Sequence, residues 1–442
     1  MARAEAGVWR NWGRCESARP ARVEAPAGDD AIAAVVKQAA AEGRKVKVVG
    51  GGHSFTGIAA PVDGGVQVSL DRHNKVLAAD RDTGLVTVEA GIRLYDLNER
   101  LADVGLAMPN LGDIDQQSIA GATQTGTHGT GLALAGIAAQ IRALTLITAD
   151  GSLITASPEE SSDVFHTARL GLGALGIVST LTLQTVPAFV LQAQETPASF
   201  RALVDDGAFD TYVHENEHCE FYWFPHTDSC LLKRNNRVDA PAPLPRFKEW
   251  LDDELVANKL FGAACAVGAR FPKVTPTVNR IATKLTGSRT FADRSDRVFV
   301  SPRSVRFVEM EYNVPRAALT GVLQELRAFV DRSGLILSFP VEVRVAAPDD
   351  VWMSTAYERE SAYVAVHVYR GQPFQPYFDG VEAIMSAVGG RPHWGKRHSL
   401  DAPVLAERYS HHKDLVAVRD RLDPEGRFAN AYLERVVGPA PA

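Results

Sequence analysis

Cysteine is scarce in this 442-residue sequence: Cys15, Cys219, Cys230 and Cys265 form no C-x-x-C pair and no group with histidine at zinc spacing. That scarcity argues against a disulfide scaffold and against a bound metal, and it fits a reducing compartment. An excess of either charge is also missing, since 47 basic and 53 acidic residues leave a formal charge of −6 and are interspersed throughout. No basic stripe exists to track a phosphate backbone, so nucleic acid is not an expected partner. Long apolar runs are absent too. The most apolar stretches, Gly131 to Ile141 and Leu260 to Val267, fall well short of the roughly 20 residues a membrane span requires. The opening MARAEAGVWRNWGRCESARP is too polar for a signal-peptide core. Together these absences predict a cytoplasmic protein with no transmembrane segment, at most peripheral to a membrane.

What is present is an ordinary globular composition, 45% hydrophobic and 23% charged, in a chain longer than one hydrophobic core usually organises. More than one domain is therefore expected. Ile32, Val35, Val36, Ala39 and Ala40 recur at helical spacing from Asp29 to Gly43. Strands are predicted at Lys45 to Val49, Val66 to Leu70, Leu85 to Ala90 and Arg142 to Ala149, with a helix over Leu94 to Val104. The alternating GIVSTLTLQ of 176–184 reads as a half-buried strand. Pro187 ends that run and marks a boundary. Beyond it, strands at Glu220 to Phe224, Val305 to Tyr312, Leu335 to Val345 and Ala362 to Tyr369, with a helix from Arg316 to Arg332, predict an antiparallel sheet covered by helices. Pro241, Pro243 and Pro245 read as a surface loop. After Pro392 a loop and a helix at His411 to Arg421 close the chain, and the fold class is α+β.

Two stretches of small residues carry the first chemical signal. Gly50-Gly51-Gly52-His53-Ser54 follows a predicted strand, and NLGDIDQQSIAGATQTGTHGTG (110–131) alternates glycines with threonines. Residues this small admit close approach of the backbone, and their amides and hydroxyls suit phosphate oxygens. Two such loops suit a dinucleotide. Neither is a G-x-G-x-x-G opening a helix and no G-K-[ST] triplet occurs, so the Rossmann and P-loop classes are not supported.

In this order the loops resemble the vanillyl-alcohol oxidase type of FAD-binding domain, also called PCMH-type. More closely, the chain is similar to the sugar-1,4-lactone oxidase and dehydrogenase family, in an actinobacterial style, with alditol oxidases as near relatives. The resemblance rests on VVGGGHSFTGIA (48–59), the 110–131 stretch, LGLGALGIVSTLTLQ (170–184), FYWFPHTD (221–228), VRFVEMEY (305–312), FPVEVR (339–344), PHWGKRH (392–398) and DPEGRFANAYL (423–433). It implies a two-subdomain FAD-binding domain over 1–187, an antiparallel-sheet cap or substrate domain over 188–390, and a segment over 391–442 that returns to the first domain. The cofactor set it implies is Val49, Gly50, Gly51, Gly52, His53, Ser54, Asp113, Ser118, Gly121, Ala122, Thr125, Gly126, Thr127, His128, Ile177 and His393. In relatives a histidine at the position of His53 is joined to the flavin. Plant galactonolactone dehydrogenases, which lack it, show the non-covalent alternative.

Glu342 and Arg344 alternate with Val341, Val343 and Val345 on a predicted strand, so one face presents an anion and a cation together. The family's Glu-x-Arg implies that Glu342 binds substrate hydroxyls and that Arg344 lies beside the flavin. His367, if its strand pairs with that one, is placed to accept a hydroxyl proton. Lys396 matches a lysine at the substrate pocket of relatives. The resemblance implies oxidation of a sugar 1,4-lactone of the L-gulono-1,4-lactone kind, an ascorbate-type biosynthetic step. Hydride passes to FAD, and oxygen or another electron acceptor reoxidises the cofactor. An alditol oxidase acting on an open-chain polyol, or a flavoprotein without its own alcohol substrate, are the alternatives.

Overall fold

The computed structural model describes residues 7–245, 287–301 and 303–441. The apolar stretch Leu260 to Val267, with Cys265, lies outside them. Among the described residues Cys15, Cys219 and Cys230 are free, and no helix is long and apolar enough to cross a membrane.

After a short antiparallel ladder of Trp9–Arg10 with Ser17–Ala18 comes a parallel three-stranded sheet. Strand β1 (Arg22–Glu24) leads into helix α1 (Asp29–Ala41), then β2 (Val46–Val48) and β3 (Val66–Val68), in the order β1-β3-β2. Helix α1 crosses over because Ile32, Val36 and Ala39 form one stripe that the sheet buries completely. An antiparallel sheet follows, built from β4 (Val76–Ala79), β5 (Leu85–Glu89), β6 (Ile141–Ile147), β7 (Leu153–Ala156) and β8 (Ile177–Gln184) in the order β7-β6-β8-β5-β4. In β8, Leu181 and Leu183 are fully buried while Thr180, Thr182 and Gln184 are half-buried, as the alternation predicts.

Between β5 and β6 lie α2 (Leu94–Asp103) and α3 (Ile119–Thr125). The second helix corrects the sequence reading, in which 110–131 is a glycine-rich loop throughout. Ser118 caps it, its Oγ accepting from the Gly121 amide at 3.2 Å, and burial of Ile119, Ala122 and Thr123 holds it despite the poor helix propensity of Gly and Thr. Gly126, left-handed at φ 77°, ends it.

The rest of the chain builds an eight-stranded, fully antiparallel sheet from β9 (Val190–Ser199), β10 (His218–Trp223), β11 (Ser229–Val238), β12 (Arg289–Arg294), β13 (Phe307–Pro315), β14 (Val341–Ala346), β15 (Ser361–Tyr369) and β16 (Arg391–Pro392). Its order is β12-β9-β11-β10-β14-β15-β13-β16. Strand β14 starts at Val341, later than the predicted Leu335, because Pro340 has no amide hydrogen for the ladder. Helices α4 (Leu319–Ser333) and α5 (Gln375–Ala387) cover one face, packing Leu323, Leu326, Val381 and Met385 against Val341, Val343, Val345, Val364 and Val366.

Alternation along the strands sends Glu220, Glu309, Glu311, Glu342, Arg344 and His367 to the opposite face, where they too are buried. A buried face this rich in charge needs internal partners. Three short helices, α6 (Ala402–Arg408), α7 (His412–Leu422) and α8 (Ala431–Val436), close the chain, where the sequence predicts only α7. Leu405, Leu415, Leu433 and Val436 join the same hydrophobic cluster as α1 and β8.

Candidate active site

A slot runs from the C-terminal end of β2 along the 50–54 loop and past the start of α3. Val49, Gly50, Gly51, Gly52, His53, Ser54, Ser118, Gly121, Thr125 and Ile177 line it. The glycines are required by distance. A Cβ on Gly50 would lie 2.3 Å from Ser118 Oγ, and one on Gly51 would lie 2.5 Å from the Gln116 carbonyl oxygen. Among the described residues no protein acceptor takes a hydrogen bond from the backbone amides of Gly50 to Ser54. An unpaired run of amides beside a helix N-terminus suits the diphosphate of a dinucleotide, so the slot fits FAD.

The slot opens into a chamber of about 650 Å³ under the charged face of the eight-stranded sheet. His53, Ser54, Gln117 and Thr125 line both spaces, which makes them one crevice. Asp113, Thr127, His128, Glu342, Arg344, His367, His393 and Lys396 also line the chamber. Ala122 and Gly126 line neither space. Ala122 is fully buried on the inner side of α3, and a Cβ on Gly126 would meet Leu170 Cδ1 at 3.2 Å, so both face packed protein.

Two ionic networks form the chamber wall. In the first, the Arg344 guanidinium pairs with Glu342 and Asp113 and lies 2.8 Å from Glu220 Oε2. Arg303 pairs with Asp113 as well, and Lys233 reaches Glu220 at 3.4 Å. Asp113 thus stands with Arg344, in the chamber and not in the slot. Burial would raise its carboxyl, but Arg344, Arg303 and Lys233 outweigh burial and hold it well below the usual range. For Glu342 burial wins over Arg344, and Asp113 adds to it, so its carboxyl is pushed up to about 7. One carboxylate stays ionised while its neighbour titrates near neutrality.

The second network joins β13, β15 and the loop after β16. Strands β14 and β15 pair with Glu342 opposite Ala365, two residues from His367, so the pairing needed to bring these side chains together is present. Lys396 Nζ lies 2.5 Å from Glu309 Oε2 and 3.8 Å from Glu311 Oε2. His367 Nε2 lies 3.5 Å from Glu309 Oε1, and Glu311 pairs with His128 at 2.8 Å. Burial pushes the Glu309 carboxyl up, but Lys396 and His367 outweigh it and bring it down to about 2.

His393 joins His128 and Glu311 with ligand atoms within 4.8 Å of one another, as do Asp113, Glu220 and Glu342. Both groups already hold cationic side chains, so each reads as an ion-pair network. At the junction of slot and chamber His53 stacks on Trp12, with centroids 5.5 Å apart. Burial, then Lys396 and Arg93, lower its imidazole to about 4, so it is neutral at physiological pH.

Sequence reasoning missed Glu220, Arg303, Glu309 and Glu311. The alternation in V-E-M-E-Y, the same signal that singles out V-E-V-R-V, was available for Glu309 and Glu311.

Comparison with known proteins agrees with this architecture. The family model described as D-arabinono-1,4-lactone oxidase matches residues 181–436, and one described as FAD binding domain matches residues 20–157. An L-gulono-1,4-lactone dehydrogenase of Mycobacterium tuberculosis is 42% identical over 433 residues, covering 98% of this chain and 99% of that protein. The L-gulonolactone oxidase of Bos taurus is 32% identical, covering 97% of this chain and 98% of its own length. Among solved structures, cholesterol oxidase from B. sterolicum superposes with a TM-score of 0.79 at 18% identity, covering 98% of this chain and 96% of its own. A glucooligosaccharide oxidase from Acremonium strictum, which carries a cysteinyl and histidyl FAD, gives 0.73 at 15% identity, covering 98% of this chain and 94% of its own. The fold is thus shared with these oxidases, and the chain belongs to the sugar-1,4-lactone oxidase and dehydrogenase family, with an FAD-binding domain at its N-terminal end.

Proposed function

We propose that this protein oxidises a secondary hydroxyl of a sugar 1,4-lactone of the L-gulono-1,4-lactone kind, using FAD held in the slot and oxygen or another acceptor to complete the cycle. The observation that carries this reading is the Glu342–Arg344 pair on the wall of a chamber that shares His53, Ser54, Gln117 and Thr125 with the slot. FAD supplies the two-electron acceptor when bound.

Arg344 is a fixed cation beside which negative charge can develop, and its three carboxylate neighbours hold it without reorganisation. Glu342, with its carboxyl at about 7, offers the lactone hydroxyls either an acceptor or a donor. His367 Nδ1 lies 3.2 Å from the Pro340 carbonyl oxygen, which only accepts. That contact favours the tautomer with its hydrogen on Nδ1, which leaves the Nε2 lone pair to receive the substrate proton.

In this reading residues 1–187 hold FAD, 188–390 cap the chamber, and 391–442 return to the first unit. Shared burial of Trp394, Leu405, Phe428 and Leu433 with its core supports that division. Covalent attachment through His53 belongs to the same reading, because a neutral imidazole at the junction is free to act as a nucleophile. The test compares aldonolactones with open-chain polyols as substrates, each with oxygen and with an artificial dye as acceptor. Turnover of lactones over polyols is expected, and the reverse preference identifies an alditol oxidase instead.

A further inference from the structure

Glu309 stands outside the site predicted from sequence and at the centre of the second network. It alternates on β13 with Val308 and Met310, which face the apolar core, so its carboxylate turns to the chamber with that of Glu311. Its two oxygens serve different partners, Oε2 meeting Lys396 Nζ at 2.5 Å and Oε1 facing His367 Nε2 at 3.5 Å. The main chain adds a tie, since the Arg397 amide donates to the Glu309 carbonyl at 2.9 Å and fixes the loop that carries Lys396. The other titratable groups facing it are Glu311, already paired with His128, Arg303, already paired with Asp113, and His393, whose imidazole burial lowers to about 4.

We propose that Glu309 is a positioning residue of the lactone site, holding the Lys396 ammonium with one carboxylate oxygen and stabilising with the other the imidazolium that His367 becomes on taking the substrate proton. The inference rests on the oxidation proposed above. In that step the substrate O–H bond breaks, an Nε2–H bond forms on His367, and the electron pair stays on oxygen. Nδ1 is already committed to the Pro340 carbonyl, and the positive charge the ring gains develops 3.5 Å from a buried carboxylate. Glu309 is itself a poor base, because Lys396 and His367 outweigh its burial and bring it down to about 2. It remains an anion throughout the working range of the enzyme.

The test is the pH dependence of kcat/KM for flavin-loaded Glu309→Gln and Glu309→Asp against the unmodified protein. Loss of a carboxylate partner at this range moves a titration by roughly one unit. In the Gln variant the acid and alkaline limbs of the profile should both move to lower pH, because the anion that faces two basic side chains is gone, with kcat about tenfold or more below normal. The Asp variant should recover most of both shifts. The pH dependence of the oxidised flavin absorbance without substrate should move in the same direction. Limbs that stay in place in both variants overturn the proposal, however far the rates fall. If the Gln variant does not fold, Glu309→Asn, which also removes the charge, takes its place, and unmoved limbs in it overturn the proposal. Failure of the unmodified protein to turn over any lactone is a different result and counts against the proposed reaction itself.

Discussion

Replacing Arg344 with Lys is the most informative single change, because it keeps the charge and removes the fork. The guanidinium meets Glu342 and Asp113 through Nη2 and Glu220 through Nε, the last at 2.8 Å, and the side chain is only 9% exposed. A lysine ammonium is one point charge and cannot reach all three carboxylates in the plane the guanidinium spans. Lys233 and Arg303 remain to serve Glu220 and Asp113, so Glu342 is the group left short of a partner. Breaking a buried pair costs about 3–5 kcal/mol when no substitute exists, and the two remaining cations should keep the cost below that. Against a net stability of about 5–15 kcal/mol the variant should fold and hold FAD. Loss of one preorganised charged contact at a reacting centre costs about a hundredfold or more. The assay is stopped-flow flavin reduction by the best lactone without oxygen, alongside flavin content and a thermal melt. Full flavin content with reduction slowed at least about a hundredfold is expected. Reduction within a few-fold of normal would refute the reasoning and show that a cation without the guanidinium fork suffices at this position.

Other consequences follow from the same geometry. Acid-precipitated protein should keep its yellow colour in the pellet, and His53→Ala should release it while still binding FAD reversibly; a colourless pellet from the unmodified protein shows that His53 only shapes the loop. Gly51→Ala should lower flavin occupancy, since its Cβ would lie 2.5 Å from the Gln116 carbonyl oxygen, and normal occupancy by absorbance would contradict the slot. The Glu342 carboxyl rises on folding from an ordinary 4.5 to about 7, so its neutral form is the one the fold favours. Its contribution to stability is complete below about 4.5 and is lost as pH rises through 7. Glu342→Gln should therefore flatten denaturant stability across that window, and an unchanged pH slope would show that the burial argument fails.

The sequence made α1, the strands around it and the 50–54 loop legible because each has a strong local signal: one helical stripe, one alternating run, one cluster of glycines. The Glu342 and Arg344 face was legible for the same reason. Helix α3 was not, because Gly and Thr read as loop formers, and what holds them helical is the Ser118 cap and burial in a core built by distant strands. Helices α6 and α8 were missed because seven and six residues are too few to display a period. The ionic networks draw Asp113, Glu220, Arg303 and Lys396 from four separate elements, and only the folded sheet brings them together. From sequence alone Asp113 therefore groups with the cofactor loops, whereas it stands against Arg344. Glu309 is a different kind of miss, since its alternation was visible but its partners were not.

The central claim is that this chain carries out its own alcohol oxidation on a lactone, and anaerobic mixing of the flavin-loaded protein with L-gulono-1,4-lactone tests it most directly. One lactone should be consumed for each flavin bleached, and the colour should return when an acceptor is admitted. Flavin that stays oxidised with every aldonolactone and polyol, yet is reduced by a chemical reductant, would contradict the account and mark a flavoprotein without an alcohol substrate of its own.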